Sequence, residues 1–224
     1  MKTRIFGNPL DKTLSRFWYP DLDMCDKSPK DVDLLTHDIN IITSPYKGDV
    51  LEAVKNTTKI ACVSTNMAEE TGVANLVLIG GNEEGAFASV INTDASAFMT
   101  IFATMESKNL FSYTNINRIQ KVAIIGFGPV ARTAKIVCED AIKMPVEIFS
   151  RTGEKKPTPK MEFDRHTLVI NTAPADAYEI SAAHLISLDQ TPTKNIGTVT
   201  NTRGIEFFVE QAKVQSYMIK EFFK

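Results

Sequence analysis

The chain has 224 residues, with 25 Lys and Arg against 27 Asp and Glu and a formal charge of -2 at pH 7. A balance this close to neutral excludes a surface built chiefly for nucleic acid or an anionic membrane, since either draws a clear basic excess. Hydrophobic residues at 43% and charged ones at 23% exclude a disordered class, and the length allows one large domain or two small ones.

Read in chain order, Arg4 to Phe6 predicts a short strand closed by the turn cluster Gly7-Asn8-Pro9. Gly, Asn, Pro and Asp stand where a signal peptide needs an apolar core, and no apolar run approaches the roughly 20 residues of a spanning helix. Cys25, Cys62 and Cys138 are too few and too far apart for a disulfide framework or a zinc knuckle, so a soluble, cytoplasmic protein is expected. Residues 20–37 are polar and give no assignable element. Ile39 to Thr43 predicts a mostly buried strand stopped by Ser44-Pro45, and Asp49 is placed to cap a helix carrying Val50, Leu51 and Val54.

Asn75 to Ile79 and Phe87 to Ile91 predict two strands joined as a hairpin through the glycine-rich segment 80–85. Asp94 then occupies a helix N-cap position, with Phe98, Ile101, Phe102 and Met105 on one helical face. Residues 108–120 read as a passage between domains. Val122 to Ile125 is a continuous apolar strand of the kind found in a parallel sheet covered on both faces. A helix over Val130 to Ile142, strands over Val146 to Phe149 and Leu168 to Ile170, a lysine-rich loop over Arg151 to Lys160 and a closing helix over Ile205 to Phe223 complete an α/β pattern.

The segment KVAIIGFGPVAR has strand, glycine turn and helix in the order a dinucleotide-binding unit requires. Gly126 and Gly128 make the turn, and the backbone at Val130 and Ala131 offers helix N-terminal N–H groups to a pyrophosphate. Ala131 is an accepted small residue where a third glycine is usual, and Pro129 suits the first helical position while removing one donor. An acidic residue at the end of the next strand selects NAD, whereas this chain has Ser150-Arg151-Thr152 followed by Lys155 and Lys156. NADP is therefore the expected cofactor.

His37, His166 and His184 have no ligand spacing, so no metal is expected, and no nucleophile elbow is present. The remaining candidates are Lys47, after a proline turn, and Asp94, at a strand-to-helix junction. Taken singly, the first reads as a surface lysine and the second as a helix cap.

In company these residues resemble the shikimate dehydrogenase family. Phe6-Gly7-Asn8-Pro9-Leu10 is similar to that family's opening FGNPI, and Thr13 and Ser15 stand at its carboxylate-binding serine pair. Thr43, Pro45 and Lys47 match its TxPxK segment, Gly72 and Asn75 its GAxN turn, and Asn92-Thr93-Asp94 its NTD triplet. Ser150-Arg151-Thr152 matches its NADP-selecting NRT, and Gly204, Gln211 and Ala212 keep the spacing of its C-terminal GxxMLxxQA. The departures are Thr13 for the first serine, Ile41 for an asparagine, Ala95 and Ala97 for glycines, and Pro129 for the second glycine of GxGG. The chain is also shorter than typical members before residue 38 and after residue 152, and no tyrosine-bearing strand is legible before the final helix.

The resemblance implies an α/β substrate domain from residues 1–102 and 206–224. It places a Rossmann-like NADP-binding domain between them, over residues 103–205, with the C-terminal helix returning to the first domain. It implies that Lys47 accepts or relays the proton of the substrate 3-hydroxyl, that Asp94 orients both, and that Thr13 and Ser15 bind the substrate carboxylate. Thr43, Asn75 and Gln211 would bond the ring hydroxyls. The expected reaction interconverts shikimate and 3-dehydroshikimate in a monomer or homodimer. A dehydrogenase of quinate or an amino analogue, and a ligand-binding relative with little turnover, are the alternatives.

Overall fold

The computed structural model describes residues 1–8, 14–19, 22–57, 60–82, 85–115, 118–174, 177–188 and 196–224. Pro9 and Leu10 of the opening segment and the candidate Thr13 lie outside the described residues. The chain divides into two compact units, Met1–Asp94 with Gln211–Lys224, and Ala95–Glu210.

The first unit holds β1 (Thr3–Phe6), α1 (Ser15–Trp18), β2 (Leu22–Cys25), β3 (Ile39–Ile42), α2 (Val50–Lys55), β4 (Ala61–Ser64), α3 (Asn66–Thr71), β5 (Leu76–Asn82) and β6 (Gly85–Ile91). They form a six-stranded sheet in the order β2-β1-β3-β5-β6-β4. β5 runs antiparallel to both β3 and β6, and the other pairings are parallel. Alternate residues serve opposite faces. Phe6, Ile42, Val77 and Val90 pack with Val50, Leu51 and Val54 of α2, while Ile5, Ile41, Leu76 and Leu78 pack with Met218, Ile219, Phe222 and Phe223. A sheet covered on both sides needs strands without polar alternation, which is why β3 is buried along its whole length.

The polar stretch 20–37 contains β2, an edge strand with two exposed residues among its four, and therefore no apolar run to announce it. α3 has better signals, a Thr65 hydroxyl accepting from the Ala68 amide and Gly72 closing the helix at φ 63°. Asp49 does not cap α2. Its carboxylate accepts from the Ser28 hydroxyl at 2.9 Å and faces Lys30 at 3.7 Å.

The second unit follows α4 (Thr93–Ser107) with β7 (Lys121–Ile125), α5 (Pro129–Asp140), β8 (Val146–Phe149), β9 (Lys160–Glu162), β10 (Thr167–Asn171), β11 (Glu179–Ser187), β12 (Ile196–Thr202) and α6 (Gly204–Phe222). The first two residues of α4 and the second half of α6 belong to the first unit. The sheet is parallel in the order β12-β11-β10-β7-β8, and β9 pairs the start of β11. Four of the five residues of β7 and all five of β10 are buried. α5 packs on β7 and β8. The apolar face read on α4 is buried as expected, with Phe98 stacked on Phe102 at 6.0 Å and tilted against Phe207 at 4.7 Å. Among the described residues, no helix is long and apolar enough to cross a membrane.

Candidate active site

In the first unit, Phe6 of β1 is level with Ile42 of β3, and Leu76 of β5 lies between Ile41 of β3 and Ile91 of β6. The chain just past β3, just before β5 and just past β6 therefore meets at one edge of the sheet, where the parallel strands end. That edge is the usual ligand side of an α/β sheet. Thr43 to Lys47, Asn75 and Asn92 to Asp94 all sit on it.

Lys47 lies in a short 3-10 turn, Tyr46–Gly48, whose backbone is tied down by the Ala74 amide donating to the Lys47 carbonyl at 3.0 Å. Its Nζ donates to both carboxylate oxygens of Asp94, at 2.9 and 2.7 Å. Lys47 is 7% exposed and Asp94 fully buried, so the surface-lysine and helix-cap readings both fail for this pair. Asp94 is the second residue of α4 rather than its cap, and the carboxylate points to Lys47 and to Asn75 Nδ2, which donates at 2.9 Å. Asn75 Oδ1 in turn accepts from the Thr93 amide at 2.8 Å and its hydroxyl at 2.9 Å. Two ionised groups held this far from water persist only when paired and hydrogen-bonded, and here both conditions are met.

Ser15 opens α1 and is buried. The Thr43 hydroxyl donates to the Phe6 carbonyl at 2.8 Å, which leaves its oxygen free only as an acceptor. Gln211 is half-buried on α6. One turn further on, Gln215 is 1% exposed and was not anticipated from the sequence. Its Nε2 donates to the Asn75 carbonyl at 3.4 Å, and its Oε1 accepts from the Tyr19 hydroxyl at 3.3 Å. The i, i+4 repeat of glutamine with Gln211 was the available signal. Burial pushes the Tyr19 phenol up to about 12, with the Ser216 hydroxyl acting the other way.

In the second unit, Gly126, Gly128, Ser150, Arg151, Thr152 and Thr172 line a cavity of about 440 Å³. It lies beyond the ends of β7, β8 and β10, where the strand order reverses about β7. Gly126 has φ 118°, and a Cβ there would collide with the Thr172 hydroxyl. Gly128 is the N-cap of α5 with no side-chain cap, Pro129 supplies no N–H, and the first intrahelical bond runs from the Arg132 amide. The Val130 and Ala131 amides are thus the helix N-terminal donors available to an anion. The Ser150 hydroxyl accepts from the Gly153 amide at 2.8 Å, and Lys156 donates to the Arg151 carbonyl, which together shape the loop. Lys155 is held by Glu147 at 2.8 Å, so the exposed Arg151 is the cation left at the cavity rim, with no ion pair among the described residues. This donor set, a glycine turn, two helix amides and an arginine, suits the phosphates of a dinucleotide. Among the described residues, no group of three or more His, Cys, Asp or Glu is placed to hold a metal.

No protein-family model matches the sequence, and no curated protein does. Solved structures do. Shikimate dehydrogenase 1 from Peptoclostridium difficile superposes with a TM-score of 0.61 at 15% identity, over 99% of this chain and 92% of that one. Shikimate 5-dehydrogenase from Thermus thermophilus in complex with shikimate gives 0.62 at 15% identity, over 97% and 92%. Shikimate 5-dehydrogenase from Listeria monocytogenes in complex with shikimate and NAD gives 0.58 at 14%, over 100% and 96%. The chain has the α/β fold of these proteins, in both of its units.

Proposed function

We propose, from that fold and the residues it carries, that this chain is an NADP-dependent dehydrogenase interconverting shikimate and 3-dehydroshikimate. The observation that carries the reading is the buried Lys47–Asp94 pair at the ligand edge of the first sheet. An ammonium has three hydrogens, and two are directed to the Asp94 oxygens. The third is available to a substrate oxygen. As a ketone is reduced, Lys47 Nζ gives that oxygen a proton, and as the hydroxyl is oxidised the same nitrogen takes it back. Asp94, fixed by Asn75, keeps the nitrogen aimed in both states and balances its charge while it holds the third proton.

Ser15, with Thr13 before it, is assigned to the substrate carboxylate, and Thr43, Asn75 and Gln211 to the ring hydroxyls. Residues 1–102 and 206–224 form the substrate-binding part, and residues 103–205 the cofactor-binding part. Gly126, Gly128 and the amides of Val130 and Ala131 would hold the pyrophosphate, with Ser150, Arg151 and Thr152 at the ribose 2'-phosphate. NADP supplies the hydride acceptor or donor when bound.

The test is absorbance at the reduced-nicotinamide band when the protein meets NADP with shikimate, quinate and an amino analogue in turn. The expected result is the highest kcat/KM with shikimate, lost by a factor of roughly 10²–10⁴ in Lys47→Ala. A Lys47→Ala protein of near-normal turnover refutes the reading. Arg151→Ala is expected to weaken NADP binding, measured by calorimetry, much more than NAD binding. Equal losses remove Arg151 from the 2'-phosphate.

A further inference from the structure

α1 carries Ser15, yet it is a four-residue helix whose N-cap makes no side-chain bond. A helix that short has no stability of its own, so its position must come from tertiary contacts. Among the described residues, two side-chain bonds reach it from neighbouring residues of α6 nearly the whole chain away, beside the packing of the Tyr19 ring on the first sheet: Trp18 Nε1 donates to the Ser216 hydroxyl at 2.9 Å, and the Tyr19 hydroxyl to Gln215 Oε1 at 3.3 Å. The first is at the surface, with Trp18 38% exposed, while Gln215 is buried and uses the other end of its amide on the Asn75 carbonyl.

Gln215 thus joins three segments to which the functional reading assigns substrate contacts, namely α1 with Ser15, the residue before β5, Asn75, and α6 with Gln211. A buried amide is tolerated because both ends are bonded, and it fixes geometry in a way an apolar side chain of similar size does not. Its partner hydroxyl stays protonated, and so remains a donor, across the whole neutral range. Asn75 already accepts from the Ile42 amide at 3.0 Å through the same carbonyl, so Gln215 adds little to the placement of Asn75 itself. What it holds is α1.

We infer that Tyr19 and Gln215 are positioning residues: they latch α1 to the sheet edge that bears Asn75 and the Lys47–Asp94 pair, and so set the spacing between the carboxylate-binding and proton-transferring ends of the substrate site. The inference rests on the dehydrogenase reading above. It assigns the latch to substrate affinity and not to turnover, since neither residue touches Lys47 or Asp94 in the bonds described.

The test uses the full chain with Tyr19→Phe, Gln215→Met and the double variant. Phe keeps the ring that packs on the first sheet, so that variant remains informative if Gln215→Met fails to fold. Each single change is expected to raise KM for shikimate about five- to tenfold. KM for NADP and the pH profile of kcat stay as in the parent, and kcat stays within about twofold. Amide exchange over 15–19 is expected to quicken. The double variant is expected to be no worse than the poorer single one, because both changes break the same connection. An unchanged KM for shikimate, with or without a lower melting temperature, overturns the latch and leaves the dehydrogenase reading standing. So does a displaced pH profile of kcat, or strictly additive losses in the double variant. A parent chain that neither binds nor oxidises shikimate overturns both.

Discussion

Lys47 and Asp94 are 47 positions apart, and neither has meaning without the other. Asp94→Asn keeps the shape but removes the anion, leaving a buried ammonium with no counter-charge. The expected result is a kcat lower by roughly 10²–10⁴, and a folded state weakened by about 3–5 kcal/mol in urea titration. Tyr19 gives a second, separable signal. Its phenol ionises near 10 in the unfolded chain and at about 12 in the fold, so between those values the folded state holds the extra proton. Stability from this group is therefore complete below pH 10 and drains away as the pH climbs towards 12. Cys138, buried in α5, behaves likewise, with burial pushing its thiol from 9.0 to about 12. Urea midpoints followed from pH 8 to 12 are expected to begin falling near pH 9, and Tyr19→Phe to flatten the part above pH 10.

The strand and helix of the glycine turn show what a sequence does and does not disclose. β7 and β10 were legible because a buried parallel strand is a plain apolar run, and α5 because the turn before it needs glycine at φ 118°. Gly126→Ala meets both that backbone angle and the Thr172 hydroxyl, so NADP affinity by calorimetry and the melting temperature are expected to fall together. β2 was illegible for the opposite reason, an edge strand with Asp23 and Met24 facing outward and no run to read, while the short apolar run at β4 carries no assignment from sequence. β11 is mostly buried, but His184 interrupts its apolar pattern, and the Thr200 hydroxyl that bonds this histidine's Nδ1 at 3.1 Å is sixteen positions away. The site divides in the same way. Lys47 and Asp94 were candidates from their local sequence and Asn75 entered through family likeness, while Gln215 and Tyr19 are tied in only through contacts that span most of the chain. Helix-cap logic failed at Asp49 and at Asp94 because each carboxylate had a better partner in space than the nearest backbone amide.

At the scale of the whole molecule, the first unit is built from two stretches of chain, Met1–Asp94 and Gln211–Lys224. The second stretch brings Met218, Ile219, Phe222 and Phe223 onto the sheet face formed by Ile5, Ile39, Ile41, Leu76, Leu78 and Ile91. Deleting Gln211–Lys224 is expected to leave that face open. The measurements are dye binding to exposed apolar surface and the emission of Trp18, the single tryptophan, which should shift to the red. The same discontinuity bears on biosynthesis. A ribosome delivers Met1–Asp94 and must then translate all of Ala95–Glu210 before the covering helix exists, an interval of roughly 6–23 seconds at ordinary elongation rates. Throughout that interval one face of the nascent sheet lacks the helix that covers it, although Lys47, Asn75 and Asp94 have all been made.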